Sequence, residues 1–161
     1  MRAAMAAGAA GVVVGALTDD GHVDAQALRR WRDAAGDGTL VFHRAIDAVP
    51  SPLAVFDELA AIGVDRVLTS GGAARSVDGA DILRRLVAAD TGIEIMAGGD
   101  IRVGDIARIV AVGVDAVHLS ARAVTGLDAP SGPGGGAGGH DATDPVVVAA
   151  AAAAVRSTLS E

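Results

Sequence analysis

The sequence predicts an α/β fold in which five parallel strands alternate with helices, and three observations predict it. Short runs rich in Val, Ile and Leu recur along the chain, helical patterns with their own start and stop residues separate them, and a Gly-Val-Asp junction recurs where helix gives way to strand. A strand covered on both faces needs near-continuous hydrophobicity, and a parallel neighbour is reached only through a crossover connection.

In chain order, the expected strands are Gly11 to Leu17, Thr39 to Arg44, Arg66 to Ser70, Ile93 to Ala97 and Ala116 to Ser120. Between the first two, Asp24 caps a helix whose inner stripe is Leu28, Trp31 and Ala35 and which ends at Gly36. Ser51 followed by Pro52 opens a second helix, which buries Leu53, Phe56, Leu59 and Ala60 and stops at Gly63. Ser76 is expected to open a third, carrying Ile82, Leu83, Leu86 and Val87, and a fourth runs from about Val103 to Val112 and ends at Gly113. These are the residue types that satisfy free N–H groups at helix starts and take left-handed conformations at helix ends. Trp31, Phe42 and Phe56 are read as core.

Gly63-Val64-Asp65-Arg66-Val67 is echoed by Gly113-Val114-Asp115-Ala116-Val117, and more loosely by Gly8-Ala9-Ala10-Gly11-Val12. The echo has two readings: a junction that any α/β unit reuses, or descent from a duplicated unit. From 125 to 145 the composition turns to Gly, Pro, Ser and Asp and is expected to form a disordered Gly-rich loop. Asp144 with Pro145 then starts a last helix, 146 to 159, and the whole of 1 to 161 is expected to be one domain.

Composition excludes several chemistries. The chain has 161 residues, 51% of them apolar and 20% charged, which is ordinary for a globular domain. All 13 basic residues are Arg and there is no Cys and no Tyr, which removes a lysine Schiff base, a Walker-type phosphate loop and thiolate chemistry. A net charge of −7 and a pI near 4.9 speak against nucleic acid as a partner. No apolar run reaches the roughly 20 residues of a membrane span, and no leader pattern opens the sequence, so a cytoplasmic location without a membrane partner is expected.

Four motifs, Val41-Phe42-His43-Arg44-Ala45-Ile46-Asp47, Arg66-Val67-Leu68-Thr69-Ser70-Gly71-Gly72, Ile95-Met96-Ala97-Gly98-Gly99 and Val117-His118-Leu119-Ser120-Ala121, occur in the order and spacing of the CutC copper-homeostasis family, which the chain resembles over about residues 1 to 124. Gly15-Ala16-Leu17 followed by Asp20-Gly21-His22-Val23-Asp24 resembles a fifth. The resemblance implies a TIM-type (β/α)8 barrel of which this chain carries strands four to eight, an N-terminally truncated, partial barrel in which Met1 to Gly8 is the end of the third helix. Five parallel strands do not close a barrel, so unpaired edges are expected at the first and last strands, and with them a tendency to aggregate unless further strands lie upstream of Met1.

Active sites of such barrels gather at the carboxyl ends of the strands. The ligand pocket is therefore expected from His43, Arg44, Asp47, Thr69, Ser70, Gly71, Gly98, Gly99, His118 and Ser120, with Asp100 and Arg122 at the same ends. His43 and His118 are candidate metal ligands facing a common mouth, or else hydrogen-bonded histidines; Met96 offers a thioether suited to Cu(I). Arg44 beside Asp47 is either a structural ion pair or an anion anchor. Gly98-Gly99 with Ser120-Ala121 marks either a tight turn or a phosphate site. His22 and His140 are read as solvated surface residues. Two functions remain open: copper binding or trafficking in the cytosol, with copper as the implied ion, or an enzyme acting on a small phosphorylated or carboxylated metabolite, with His43 or His118 moving protons. A homo-oligomer is compatible with either.

Overall fold

The computed structural model describes residues 1–125 and 140–159. Its elements are α1 (Arg2–Ala6), β1 (Gly11–Val14), α2 (Ala25–Ala35), β2 (Thr39–Phe42), a 3-10 turn (Arg44–Ala48), α3 (Pro52–Ile62), β3 (Arg66–Thr69), α4 (Ala80–Ala88), β4 (Glu94–Gly98), a second 3-10 turn (Val103–Asp105) running into α5 (Ile106–Val110), β5 (Ala116–His118), β6 (Arg122–Thr125), β7 (His140–Thr143) and α6 (Pro145–Leu159). The first five strands form one parallel sheet in sequence order, β1 to β5, and β6 pairs antiparallel with β7 in a separate ribbon. Among the described residues β1 and β5 do not pair, so the sheet is an open part of a (β/α) barrel.

Alternation along each strand sorts the sheet into two faces. The register aligns Leu40, Phe42, Val67, Ile95 and Ala97 on the face under the helices, and all five are buried beside Leu28, Phe56, Leu59, Leu83, Leu86, Ile106 and Ile109. Val13, Val41, Leu68 and Met96 fall on the opposite, inner face, and Val13 there is 63% exposed. Near the amino ends of the strands the same face carries the Arg66–Glu94 ion pair. Trp31 packs against the core without being fully buried, whereas Phe42 and Phe56 lie inside it.

The helix starts follow the sequence where a free side chain caps them. Asp24 accepts from the Ala27 N–H at 2.8 Å and Ser51 from the Ala54 N–H at 3.4 Å. The helix expected from Ser76 begins instead at Ala80, because the Ser76 N–H and hydroxyl both donate to the Gly99 carbonyl, at 2.9 and 3.3 Å, and the serine ties two loops together. Strand β2 is shorter than expected for a local reason: it stops at Phe42, where the chain turns into the 3-10 segment capped by His43. Of the 125 to 145 segment, residues 126–139 lie outside the described residues; its flanks, Thr125 and His140–Thr143, pair in the β6–β7 ribbon.

The echoed junctions perform one job twice. Asp65 donates its N–H to the Leu40 carbonyl at 3.0 Å and accepts the Leu40 N–H on Oδ2 at 2.7 Å. Asp115 donates to the Ile95 carbonyl at 2.9 Å and accepts the Ile95 N–H on Oδ2 at 2.7 Å. Each aspartate thus grips both backbone groups of one residue on the preceding strand and fixes the register of β2 with β3 and of β4 with β5. Asp65 is itself held by Arg32 at 2.8 Å.

Replacing Asp115 by Ala leaves the Ile95 N–H without its acceptor and is expected to lower the unfolding free energy by about 1–2 kcal/mol, read as a shifted urea midpoint. Asp115→Asn keeps an acceptor in place and should lose clearly less; equal losses would show that the clamp does not act through that oxygen.

Candidate functional site

The site is built on one carboxylate. Asp47, on the 3-10 turn after β2, has a side chain only 9% exposed. Its Oδ1 accepts from the Thr69 hydroxyl at 2.5 Å and the Gly72 N–H at 3.0 Å, the Ser70 N–H lies between both oxygens at 3.0 and 3.1 Å, and Arg44 Nε donates to Oδ2 at 2.7 Å. The Ser70 hydroxyl has one proton and two acceptors in reach, the Ala73 carbonyl at 2.6 Å and Asp47 Oδ2 at 3.0 Å, and it accepts in turn from Arg44 at 2.9 Å. Gly71 and Gly72 make this concave loop possible, with φ of 72° and 76°. Burial alone would raise the Asp47 pKa, but the bonds from Thr69, Arg44, Ser70 and Gly72 outweigh it and hold the carboxyl below its ordinary value.

The hub fixes Arg44. With Nε on Asp47 and one terminal nitrogen on Ser70, the guanidinium sits beside Gly99, where a side chain would come within 2.9 Å of the Ser70 Cβ and 3.3 Å of the Arg44 Cζ. Gly99 has φ of 144°, so both space and backbone require glycine there. Arg44, Gly98, Gly99, His118 and Ser120 line one cavity of about 430 Å³ at the carboxyl end of the sheet, together with Leu68, Asp100, Ile101, Leu119 and Arg122. Thr69, Ser70, Gly71 and Asp47 do not line it. They are the support beneath Arg44, and the first two are fully buried.

His43 stands apart from His118. Register places both on the inner face, but three strand spacings separate β2 from β5, roughly 14 Å along the sheet. The His43 ring lies over Gly15 on the β1 side, filling the space a side chain there would need. Its Nδ1 accepts the Ala45 N–H at 3.0 Å, so the neutral ring carries its proton on Nε2 and presents a donor. His118 sits exposed beside Gly98 at the other edge and makes no side-chain hydrogen bond among the described residues. No three His, Cys, Asp or Glu side chains among the described residues group as a metal site.

Asp100 was legible only as a neighbour of the glycine pair. It takes φ of 42°, a left-handed conformation uncommon for a residue other than glycine. Its carboxylate lies 3.2 Å from Arg75 Nε, angled away from a hydrogen bond, and 3.7 Å from Arg102. Arg75 also binds Asp105 at 2.7 Å, and Asp105 accepts the Arg102 N–H at 3.1 Å. The start of the α5 segment is therefore filled by its own carboxylate, and anion contacts in the cavity fall to Arg44 and Arg122. Leu68, Ile101 and Leu119 were not expected in the site; alternation of side chains from Leu68 to Ser70 carries the signal for the first.

A carboxyl whose pKa is lower folded than unfolded contributes stability that is complete above the unfolded value and is lost as pH falls through the folded one. Wild-type stability is therefore expected to drop as pH falls below the ordinary carboxylate value of 3.8. Asp47→Asn should be less stable at pH 7 by roughly 2–3 kcal/mol and show a flatter profile below pH 4. Identical profiles in urea melts from pH 2 to 7 would contradict the hub.

The CutC family model matches residues 1–123. A CutC family protein of Serratia proteamaculans is 38% identical over 113 residues, covering 70% of this chain and 45% of the relative, and one of Treponema denticola is 42% identical over 116 residues, covering 71% and 47%. The chain thus spans about half the length of these curated relatives. The crystal structure of the putative copper homeostasis protein CutC from Streptococcus agalactiae superposes with a TM-score of 0.68 at 29% identity, over 73% of this chain and 59% of that one. Inosine 5' monophosphate dehydrogenase from Legionella pneumophila superposes with a TM-score of 0.67 at 19% identity, over 98% of this chain and 61% of that one, a likeness of fold alone. Family match, shared identity and the common parallel barrel architecture agree: this chain belongs to the CutC family.

Proposed function

We propose that the chain acts on a small phosphorylated or carboxylated metabolite held in the cavity that Arg44 lines. The observation that carries this reading is the posture of Arg44. Two of its three nitrogens are spent on Asp47 and Ser70, which pins the guanidinium as a fixed positive edge at the cavity mouth. A planar fork held in advance gives up little freedom on gripping an oxyanion, and it stays charged whatever its surroundings. Arg122 adds a second positive charge and Ser120 a hydroxyl, while Leu68, Ile101 and Leu119 offer apolar surface to a carbon skeleton. His118, without a hydrogen-bond partner among the described residues and lining the same cavity, is the group placed to exchange a proton with a bound ligand. His43 is a donor instead, since its Nδ1 is already engaged.

Copper binding by the chain itself is the second reading, favoured by the placement of Met96, His43 and His118 on one inner face. A thioether and imidazoles suit Cu(I). For His43 to join, either the Ala45 hydrogen bond must break or Nε2 must lose its proton, and the two histidines must close the distance across β3 and β4. His118 with Met96 is therefore the better pair. We place either activity in the cytoplasm, with copper ion or a small anion as partner, neither nucleic acid nor membrane, and a homo-oligomer as a compatible assembly. No helix among the described residues is long and apolar enough to cross a membrane.

Thermal-shift screening of phosphate esters and small carboxylates against the chain separates the readings. At least one compound is expected to raise the melting temperature in a saturable way, and Arg44→Ala should abolish the rise. A null result across a broad library, combined with Cu(I) binding that survives a competing chelator and is lost in Met96→Leu or His118→Ala, would replace the first reading by the second.

A further inference from the structure

The repeated aspartate clamp allows the two halves of the sheet to be compared residue by residue. Asp65 and Asp115 grip Leu40 and Ile95 in the same two-point way. Five residues beyond each aspartate the strand end reaches a serine, Ser70 after β3 and Ser120 after β5. In the first unit the space beside that serine is filled by a carboxylate of the protein, because Asp47 reaches over from the loop after the preceding strand. In the second unit the corresponding loop follows β4, and its carboxylates are turned elsewhere. Asp100 faces Arg75 and Arg102, and Asp105 binds Arg75 and the Arg102 N–H.

Ser120 consequently has no hydrogen-bond partner among the described residues, and it opens onto the cavity that Arg44 lines from the other side. The turn itself is not a copy. Gly71 and Gly72 take positive φ, whereas Ala121 and Arg122 do not. Where the first unit offers the Gly72 N–H to Asp47, the second offers the Arg122 guanidinium, whose pairing with Asp141 at 3.0 Å is exposed on both sides and readily exchanged. Donors and positive charge are present in both units, but only the first brings its own anion.

We propose that Ser120 and Arg122 form an oxyanion site, in which the carboxylate of a small ligand takes the place that Asp47 fills in the preceding unit. This rests on the reading of the cavity as an anion pocket and deepens it. Arg44 is the element common to both places, one edge on Asp47 and the other toward the cavity. The built-in occupant of the first unit is a planar, two-oxygen carboxylate, so the expected class is a carboxylate ahead of a tetrahedral phosphate.

The test titrates the chain with acetate and, separately, with inorganic phosphate, followed by backbone amide shifts. Acetate is expected to move Gly99 and the Ser120 to Arg122 amides in a saturable way. Ser120→Ala and Arg122→Gln should each weaken it by roughly tenfold, and Ser120→Asp, which supplies a tethered carboxylate, should remove the response. Ser120 and Arg122 are both exposed, so folding is not at issue. Loss of acetate binding in Arg44→Ala with none in Ser120→Ala or Arg122→Gln would overturn this site while leaving the anion pocket standing. Phosphate binding without acetate binding would overturn the carboxylate class, and no response to either anion would overturn both proposals.

Discussion

A single buried carboxylate organises the functional end of this sheet. Asp47 leaves the 3-10 turn after β2 and is bound by donors from the loop after β3, so two connections that only touch the sheet at their origins become one rigid rim. Without that anion the Thr69 hydroxyl and the Ser70 N–H, in residues inaccessible to water, would lack their acceptor, and an unsatisfied buried donor costs about 1–3 kcal/mol. Everything nearer the cavity depends on this anchor. Arg44 is oriented by it, Gly99 is restricted to glycine by Ser70, by Arg44 and by its own positive φ, and the Gly99 carbonyl in turn receives Ser76 and delays the start of α4.

The parallel sheet was largely legible in the sequence because buried parallel strands leave a strong signal. Val67 and Ile95 sit in apolar runs that have no polar alternation, and the caps Asp24 and Ser51 mark their helices by short-range hydrogen bonds that sequence spacing already contains. The Asp65 and Asp115 echo was visible as well, although its meaning was not: the sequence shows a repeated word, and only the register shows that each aspartate holds both backbone groups of one residue. The Ser76 helix start differs because a side chain that resembles a local cap is bonded to a loop far along the chain, whereas β2 ends early because His43 caps the turn that follows it.

The site was legible in part. Arg44 and Asp47 lie three residues apart, and their pairing follows from that spacing. That Thr69, Ser70 and Gly71 would support the rim rather than line the cavity depends on Asp47 reaching across 22 or more positions, which no local pattern encodes. The two histidines share a face as expected from strand alternation, but Gly15 offers His43 a resting place on the β1 side, and this draws it away from His118. Membership of the CutC family fits a five-stranded, open arrangement whose inner face still carries Val13, Val41, Leu68 and Met96, the kind of side chains that facing strands cover in a closed barrel.

The most direct measurement is a carbon-13 NMR titration of the Asp47 carboxyl, followed together with the amide protons of Ser70 and Gly72. A midpoint below the ordinary 3.8, with both amides moving at the same pH, is the result expected of a carboxylate held by those donors. An ordinary midpoint with unresponsive amides would contradict the hub, and with it the fixed posture of Arg44 on which the proposed anion pocket rests.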